Sequence, residues 1–232
     1  MLSLLIRPEC LKLYVCKVGL RTLCVDHRGS LSFPVPKNIS NPCPYTLSLT
    51  LYTEINQLTS IACLVNNVGI FMSLDFIRNL IACNMNSTAS LTRIVLPKLI
   101  KQNKPGSAII NLSSFAGTVP FPYLALYGAT KSFVHNLTES LRLELAGTGV
   151  IVQTVCPMLV ATNMSKVKRT GFFVPPAEKF ASSALDMLGV EHVTMGCLGH
   201  AIQSWILASI PGMVARTGKS KYELTMRRLK RQ

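Results

Sequence analysis

The chain has 232 residues, enough for one domain with a sizeable core. Hydrophobic residues make up 49% and charged residues 15%, which excludes a disordered chain. A net charge of +14 favours anionic partners, but no zinc-finger spacing, RNA-binding aromatic motif or basic heptad helix accompanies it, so nucleic acid is not an expected partner.

Residues 1–45 show no sustained period. Apolar pieces alternate with Pro34, Pro36, Pro42 and Pro44, and Arg7, Glu9, Lys12 and Lys17 interrupt the opening run. That pattern fits neither a signal peptide nor a membrane span. Cys10, Cys16, Cys24, Cys43, Cys63, Cys83, Cys156 and Cys197 form no CxxC pair and mostly sit in apolar stretches. They are read as buried reduced thiols of a protein facing the cytosol, with no disulfide framework and no metal site.

From Leu47 the pattern sharpens. Residues 47–59 are predicted helical, and the run Ile61–Val65, stopped by Asn66-Asn67-Val68-Gly69, is predicted as a buried strand and turn. Residues 74–103 are predicted as a helix with a broken middle. Ala108–Leu112 is a second buried strand, 125–146 a long helix, and Val150–Val155 a third strand halted by Pro157. Residues 177–188 and 197–209 are predicted helical. Strands alternating with helices over short connections predict an α/β fold, a Rossmann-like doubly wound parallel sheet. Ligands of such sheets bind beyond the carboxyl ends of the strands, here Asn66–Gly69, Ser113–Ser114 and Cys156–Thr162.

One of those ends faces a pair of chemical interest. Tyr127 and Lys131 stand four residues apart, one turn up the same helix face. An ammonium beside a phenol favours the phenolate, so the spacing predicts a lowered Tyr127 pKa and a group able to exchange protons near neutral pH. Ser114, at the end of the preceding strand, can hydrogen-bond a carbonyl oxygen. Asn84, on the helix between the first two strands, can hold a water against Lys131. The pair alone is common; the joint spacing of NNVG, Asn84, NLSS, Tyr127 and Lys131 is specific.

The segments LVNNVGI (64–70), CN (83–84), IINLSS (109–114), YGATKSFV (127–134), VIVQTVCPMLVATNM (150–164) and GCLGHAI (196–202) carry a resemblance. The stretch from about 52 to 215 resembles the short-chain dehydrogenases/reductases, in the branch with 17β-hydroxysteroid dehydrogenases of types 3 and 12 (the latter the very-long-chain 3-oxoacyl-CoA reductases). The resemblance implies NADPH-dependent reduction of a lipid-like ketone, either a 17-ketosteroid or a long-chain 3-oxoacyl-CoA. It makes Tyr127 the general acid, Lys131 the ligand of the nicotinamide ribose, Ser114 the polariser of the carbonyl, and Asn84 the end of a proton relay. Asn66, Asn67 and Gly69 would shape the loop beside the cofactor, and Pro157 and Thr162 would bracket the nicotinamide. A homodimer is the assembly left open.

The family's glycine-rich turn, TGxxxGxG after the first strand, is missing, and Gly147-Thr-Gly149 cannot replace it because it follows a helix and precedes a strand. The N-terminal βαβ unit is therefore expected to be incomplete. Residues 1–45 are read as an atypical segment, whether from a truncated gene model, a splice variant or a degenerate paralogue. Residues 46–215 are read as the catalytic domain and 216–232 as a basic tail. A catalytically inactive binding or scaffold relative is the alternative to the enzyme.

Residues 197–215 contain no Asp, Glu, Lys or Arg, and read as a substrate cover or interfacial segment. The tail carries Arg216, Lys219, Lys221, Arg227, Arg228, Lys230 and Arg231 against Glu223 alone, ending in a pattern like a di-basic retrieval signal. Together they predict placement on the cytosolic face of the endoplasmic-reticulum membrane. His200, in an apolar helix, is read as a core histidine.

Overall fold

The computed structural model describes residues 13–16, 23–26 and 29–32 by their backbone course, and residues 61, 63–67, 77–102, 104, 106–162, 165, 167–210, 212–216 and 219–220. The helix expected over 47–59, Gly69 and most of the basic tail lie outside these residues.

The apolar runs are strands as predicted. They are β4 (Cys63–Asn66), β5 (Ala108–Leu112) and β6 (Ile151–Val155), paired in parallel in sequence order. A further strand, β7 (Val193–Thr194), extends the sheet beside β6. Two residues are too short a run to carry a sequence period.

The sheet has its apolar residues on both faces, which is why these strands read as continuous hydrophobic runs. Leu64, Ile109 and Val152 face one side, where they pack with Leu91, Val95, Leu99, Leu141 and Leu145. Cys63, Val65, Ala108, Ile110 and Val155 face the other, against Phe180 and Ala184. The helices that supply these partners are α2 (Ser87–Gln102) and α3 (Ala125–Glu144) on the first face, and α4 (Ala177–Asp186) on the second. Helices on both faces make the sheet doubly wound, and α5 (Leu198–Ser209) follows β7.

The predicted break in the 74–103 helix is a π-helical segment, Ala82–Asn86, between α1 (Ile77–Ile81) and α2. Asn84 lies in it. Single π turns are a recurrent way of re-aiming one residue of a helix toward a site.

The N-terminal segment contributes three further strands. The backbone forms β1 (Leu13–Cys16), β2 (Leu23–Asp26) and β3 (Gly29–Ser32), giving the sheet order β3-β2-β1-β4-β5-β6-β7. Strand β1 pairs with β4 in parallel, so β4 is not an exposed edge, as loss of the βαβ unit would have left it. Strands β2 and β3 run antiparallel. Six residues separate β1 from its antiparallel neighbour β2, whereas a parallel crossover with its helix needs a dozen or more. The βαβ unit is incomplete in this concrete sense: β1 is present, and the six residues between it and β2 are too few for a crossover helix.

Candidate active site

The end of β5 meets α3 through two glycines. Ser113 Oγ donates to the Lys131 carbonyl at 2.7 Å, which fixes the strand end against the helix. A short 3₁₀ turn, Phe115–Gly117, then lies on α3. A Cβ on Gly117 would stand 2.6 Å from the Lys131 carbonyl carbon, and one on Gly128 would stand 2.6 Å from the Ala116 oxygen. Both contacts are with backbone, so neither is relieved by a rotamer. This close approach holds Ser114 over Tyr127. The chain enters α3 through Tyr123 at φ 64°, in the left-handed region that non-glycine residues seldom occupy. We expect Gly128→Ala to cost about 1–3 kcal/mol by overpacking, and to part Ser114 from Tyr127. The checks are a melting temperature lowered by several degrees and a loss of any activity at the site, with the exposed neighbour Ala129→Ser as the unaffected control.

The structure brings together Ser114, Tyr127 and Lys131. The Ser114 and Tyr127 side chains are hydrogen-bonded. Lys131 is buried, and its Nζ donates to the Leu112 carbonyl at 2.9 Å. Asn84, also buried, donates from Nδ2 to Thr130 Oγ1 at 2.9 Å, and Thr130 Oγ1 donates to the Tyr127 carbonyl at 2.8 Å. The π segment is thereby tied to the turn of α3 that carries the Tyr–Lys pair.

The electrostatics correct one expectation. Spacing alone predicted a lowered Tyr127 pKa; burial raises it above the usual phenol value, and the Ser114 hydrogen bond opposes that rise without reversing it. The phenol keeps its proton at neutral pH. Burial also brings Lys131 down to about 8, with Cys156 acting in the opposite direction. Cys156, at the end of β6, is pushed up to about 12 by burial, so its thiol stays neutral beside the ammonium.

The predicted cofactor residues divide. Asn67 is half-buried at the end of β4. Asn66 is buried, and its side chain is used within the sheet: Nδ2 donates to Asn111 Oδ1 at 2.7 Å and to Thr92 Oγ1 at 3.1 Å. Asn111 in turn donates to Thr138 Oγ1 on α3. That seam ties β4, β5, α2 and α3 together, so the structure does not bring the Asn66 side chain to Ser114 and Tyr127. Pro157 accepts from the Phe115 N–H at 3.0 Å. Thr162 is bonded to Ser165 and lines an open cleft of about 570 Å³ with Lys168, Thr170 and Glu178.

Sequence reasoning placed Ser113 at a strand end without its bond to Lys131, and missed Thr130 and the two glycines. Their only signal was position inside the NLSS and YGATK segments. His200 is a core histidine, as predicted, with both ring nitrogens bonded. Its Nδ1 accepts from the Met158 N–H at 3.3 Å and its Nε2 bonds the Leu159 carbonyl at 3.2 Å, which anchors the segment after β6 to α5. This arrangement needs a neutral ring protonated on Nε2, and burial lowers the His200 pKa accordingly.

A family model described as short chain dehydrogenase matches residues 48–171, just over half of the chain. The chain belongs to the short-chain dehydrogenase family. Among its relatives, the very-long-chain 3-oxoacyl-CoA reductase of Anas platyrhynchos is 39% identical over 162 residues, covering 65% of this chain and 51% of that one. A putative steroid dehydrogenase 2 of Caenorhabditis elegans is 35% identical over 175 residues, with 71% and 55% covered. The chain thus spans about half the length of the curated relatives it matches. In fold it is similar to the bulky-bulky ketone specific alcohol dehydrogenase of Comamonas testosteroni, at a TM-score of 0.57 and 24% identity, with 80% of this chain and 72% of that one covered.

A dinucleotide can be tested against these residues in two halves. The nicotinamide half fits: the buried Lys131 ammonium, Asn67, and the Pro157–Thr162 segment border one sheet edge. The pyrophosphate half calls for backbone N–H groups at a helix N-terminus after the first strand, and the six residues between β1 and its antiparallel neighbour β2 are too few for that helix.

Proposed function

We propose that this site reduces the ketone of a lipid substrate with NADPH. The observation that carries the reading is the Ser114–Tyr127 hydrogen bond at the end of β5, with Lys131 one turn along the same helix. Two hydroxyls converge where a single carbonyl oxygen would accept from both. Tyr127, protonated at neutral pH, gives its proton to that oxygen as the bond order of the carbonyl falls. Ser114 holds the oxygen in place and stabilises its developing charge. Lys131, with a pKa near 8, is poised to return a proton toward Tyr127, and Asn84 with Thr130 fixes the turn on which this happens. When bound, NADPH supplies the hydride.

The names of the relatives favour a long-chain 3-oxoacyl-CoA over a 17-ketosteroid as substrate. The buried cysteines Cys63, Cys83 and Cys156 and the basic C-terminal sequence support a site at the cytosolic face of the endoplasmic-reticulum membrane. No helix of the described residues is long and apolar enough to cross a membrane.

The test is NADPH oxidation by purified chain at millimolar cofactor, with a C16 3-oxoacyl-CoA in one arm and a 17-ketosteroid in the other. Turnover of the acyl-CoA is expected. Turnover of the steroid alone would reverse the substrate assignment, and none with either, from this chain and from one carrying a family-type N-terminal βαβ unit alike, would end the reductase reading. The antiparallel β1–β2 pairing favours a second reading, an inactive relative that keeps the fold for binding.

A further inference from the structure

Helix α5 separates its faces sharply. Gly199, His200 and Ser204 are buried, whereas Leu198, Ala201, Ile202, Trp205, Ala208 and Ser209 are exposed. Positions 198, 202, 205 and 209 form one stripe along the helix. Leu198 is 68% and Trp205 71% exposed, very open for large apolar side chains. The stripe does not end with the helix. Gly199 packs on the Phe172 carbonyl, which sets the exposed pair Phe172 and Phe173 beside the first turn of α5. Their rings meet edge to face at 5.0 Å, and Ile210 continues the patch at the other end.

The segments that build this patch carry charges of one sign, with Glu178 across the cleft from Lys168 as the acidic neighbour. The segments 165–176 and 193–220 contain no Asp or Glu, and their cations are Lys166, Lys168, Arg169, Arg216 and Lys219. Of these, Lys168 and Arg169 are exposed just before Phe172, and Arg216 and Lys219 are exposed beyond the end of α5. An aromatic-bearing apolar strip with cations at both ends matches the depth profile of an anionic bilayer surface, where rings sit at the headgroup level and lysines and arginines meet lipid phosphates.

From this juxtaposition we infer that α5 and the Phe172–Phe173 turn form a docking face for an anionic lipid surface, lying in the interface rather than crossing it. The inference rests on the membrane placement proposed above, but not on the reductase reaction. His200, on the buried face of α5, ties the helix to Met158 and Leu159, so the segment after β6 lies behind the exposed stripe.

The sequence supplies its own probe, since Trp205 is the single tryptophan. The full chain is mixed with phosphatidylcholine vesicles, with and without one-third phosphatidylserine. Trp205 emission should shift to the blue on the anionic vesicles, and the shift should weaken with added salt. Ile202→Glu, at an exposed position that keeps the probe, should lower partitioning at least tenfold. Leu143→Glu, at a more exposed leucine on α3, should leave it unchanged. Four results would overturn the inference: no shift with either vesicle; Ile202→Glu binding like the parent chain, which would leave the membrane placement to the basic tail; a shift produced by raising protein concentration alone, which would make the face a contact between copies; and a shift with palmitoyl-CoA in the absence of vesicles, which would make it an acyl pocket. None of these bears on NADPH oxidation, so failure here and failure of the reductase reading are separable.

Discussion

NADPH should bind the 232-residue chain at least a hundredfold more weakly than it binds the same chain carrying a family-type N-terminal βαβ unit. The reason lies at β1. A pyrophosphate in this fold is held by backbone N–H groups at the start of the helix that follows the first strand. Here β1 leads through six residues into β2, its antiparallel neighbour. Hydrogen bonds to a charged group contribute about 1.5–3 kcal/mol each, so losing two or three weakens binding by roughly a hundredfold to a millionfold. Lys131 lies at the nicotinamide end and cannot replace them. Calorimetric titration of the two proteins measures the ratio. A micromolar Kd for the unmodified chain would mean that residues 1–45 build a phosphate site by another geometry. Equal, weak binding by both would move the fault from β1 to the nicotinamide side.

Tyr127→Phe should lower kcat by about 10²–10⁴-fold at millimolar NADPH, the usual range for removing a general acid. The substitution keeps the ring and deletes only the hydroxyl, so the melting temperature should hardly change. The pH profile should separate the roles of Tyr127 and Lys131. Tyr127 sits above the usual phenol value and stays protonated throughout the working range. Lys131 titrates near 8; its ammonium is present below that pH and is lost above it. The rate should therefore fall as pH rises through about 8, and Lys131→Met should abolish that fall together with most of the rate. A rate that keeps climbing past pH 9 would show that the phenolate, not the phenol, is the working form. A Tyr127→Phe variant with full activity would remove the residue from the reaction altogether.

The central sheet was legible because its chemistry is local. Residues 61–65, 108–112 and 150–155 are apolar on both faces, and such runs, stopped by Asn, Ser or Pro, have few readings other than buried parallel strands. Helix 125–146 was legible through its 3.6-residue period, and the Tyr127–Lys131 pair followed from that helix alone. Strands β1 to β3 were not legible. Each has four residues amid proline and glycine, and a strand that short gains its stability from pairing with β4 or with one another, which no window of sequence contains.

Within the candidate site, the sequence by itself determined which functional groups exist and on which helix turn or strand end each sits. Tertiary structure decided what they do. Asn66 could have faced a cofactor, but strand pairing turns its amide to Asn111 and Thr92. Spacing predicted a lowered Tyr127 pKa, and burial, which depends on everything packed around the ring, raised it instead. Gly117 and Gly128 look like ordinary small residues until the Ser114 turn and α3 are seen in backbone contact. The apolar stretch 197–215 was plain in sequence; only its packing showed which side of α5 is core and which is open. Periodicity and spacing are properties of neighbours along the chain, whereas burial, hydrogen-bond partners and pKa depend on neighbours in space.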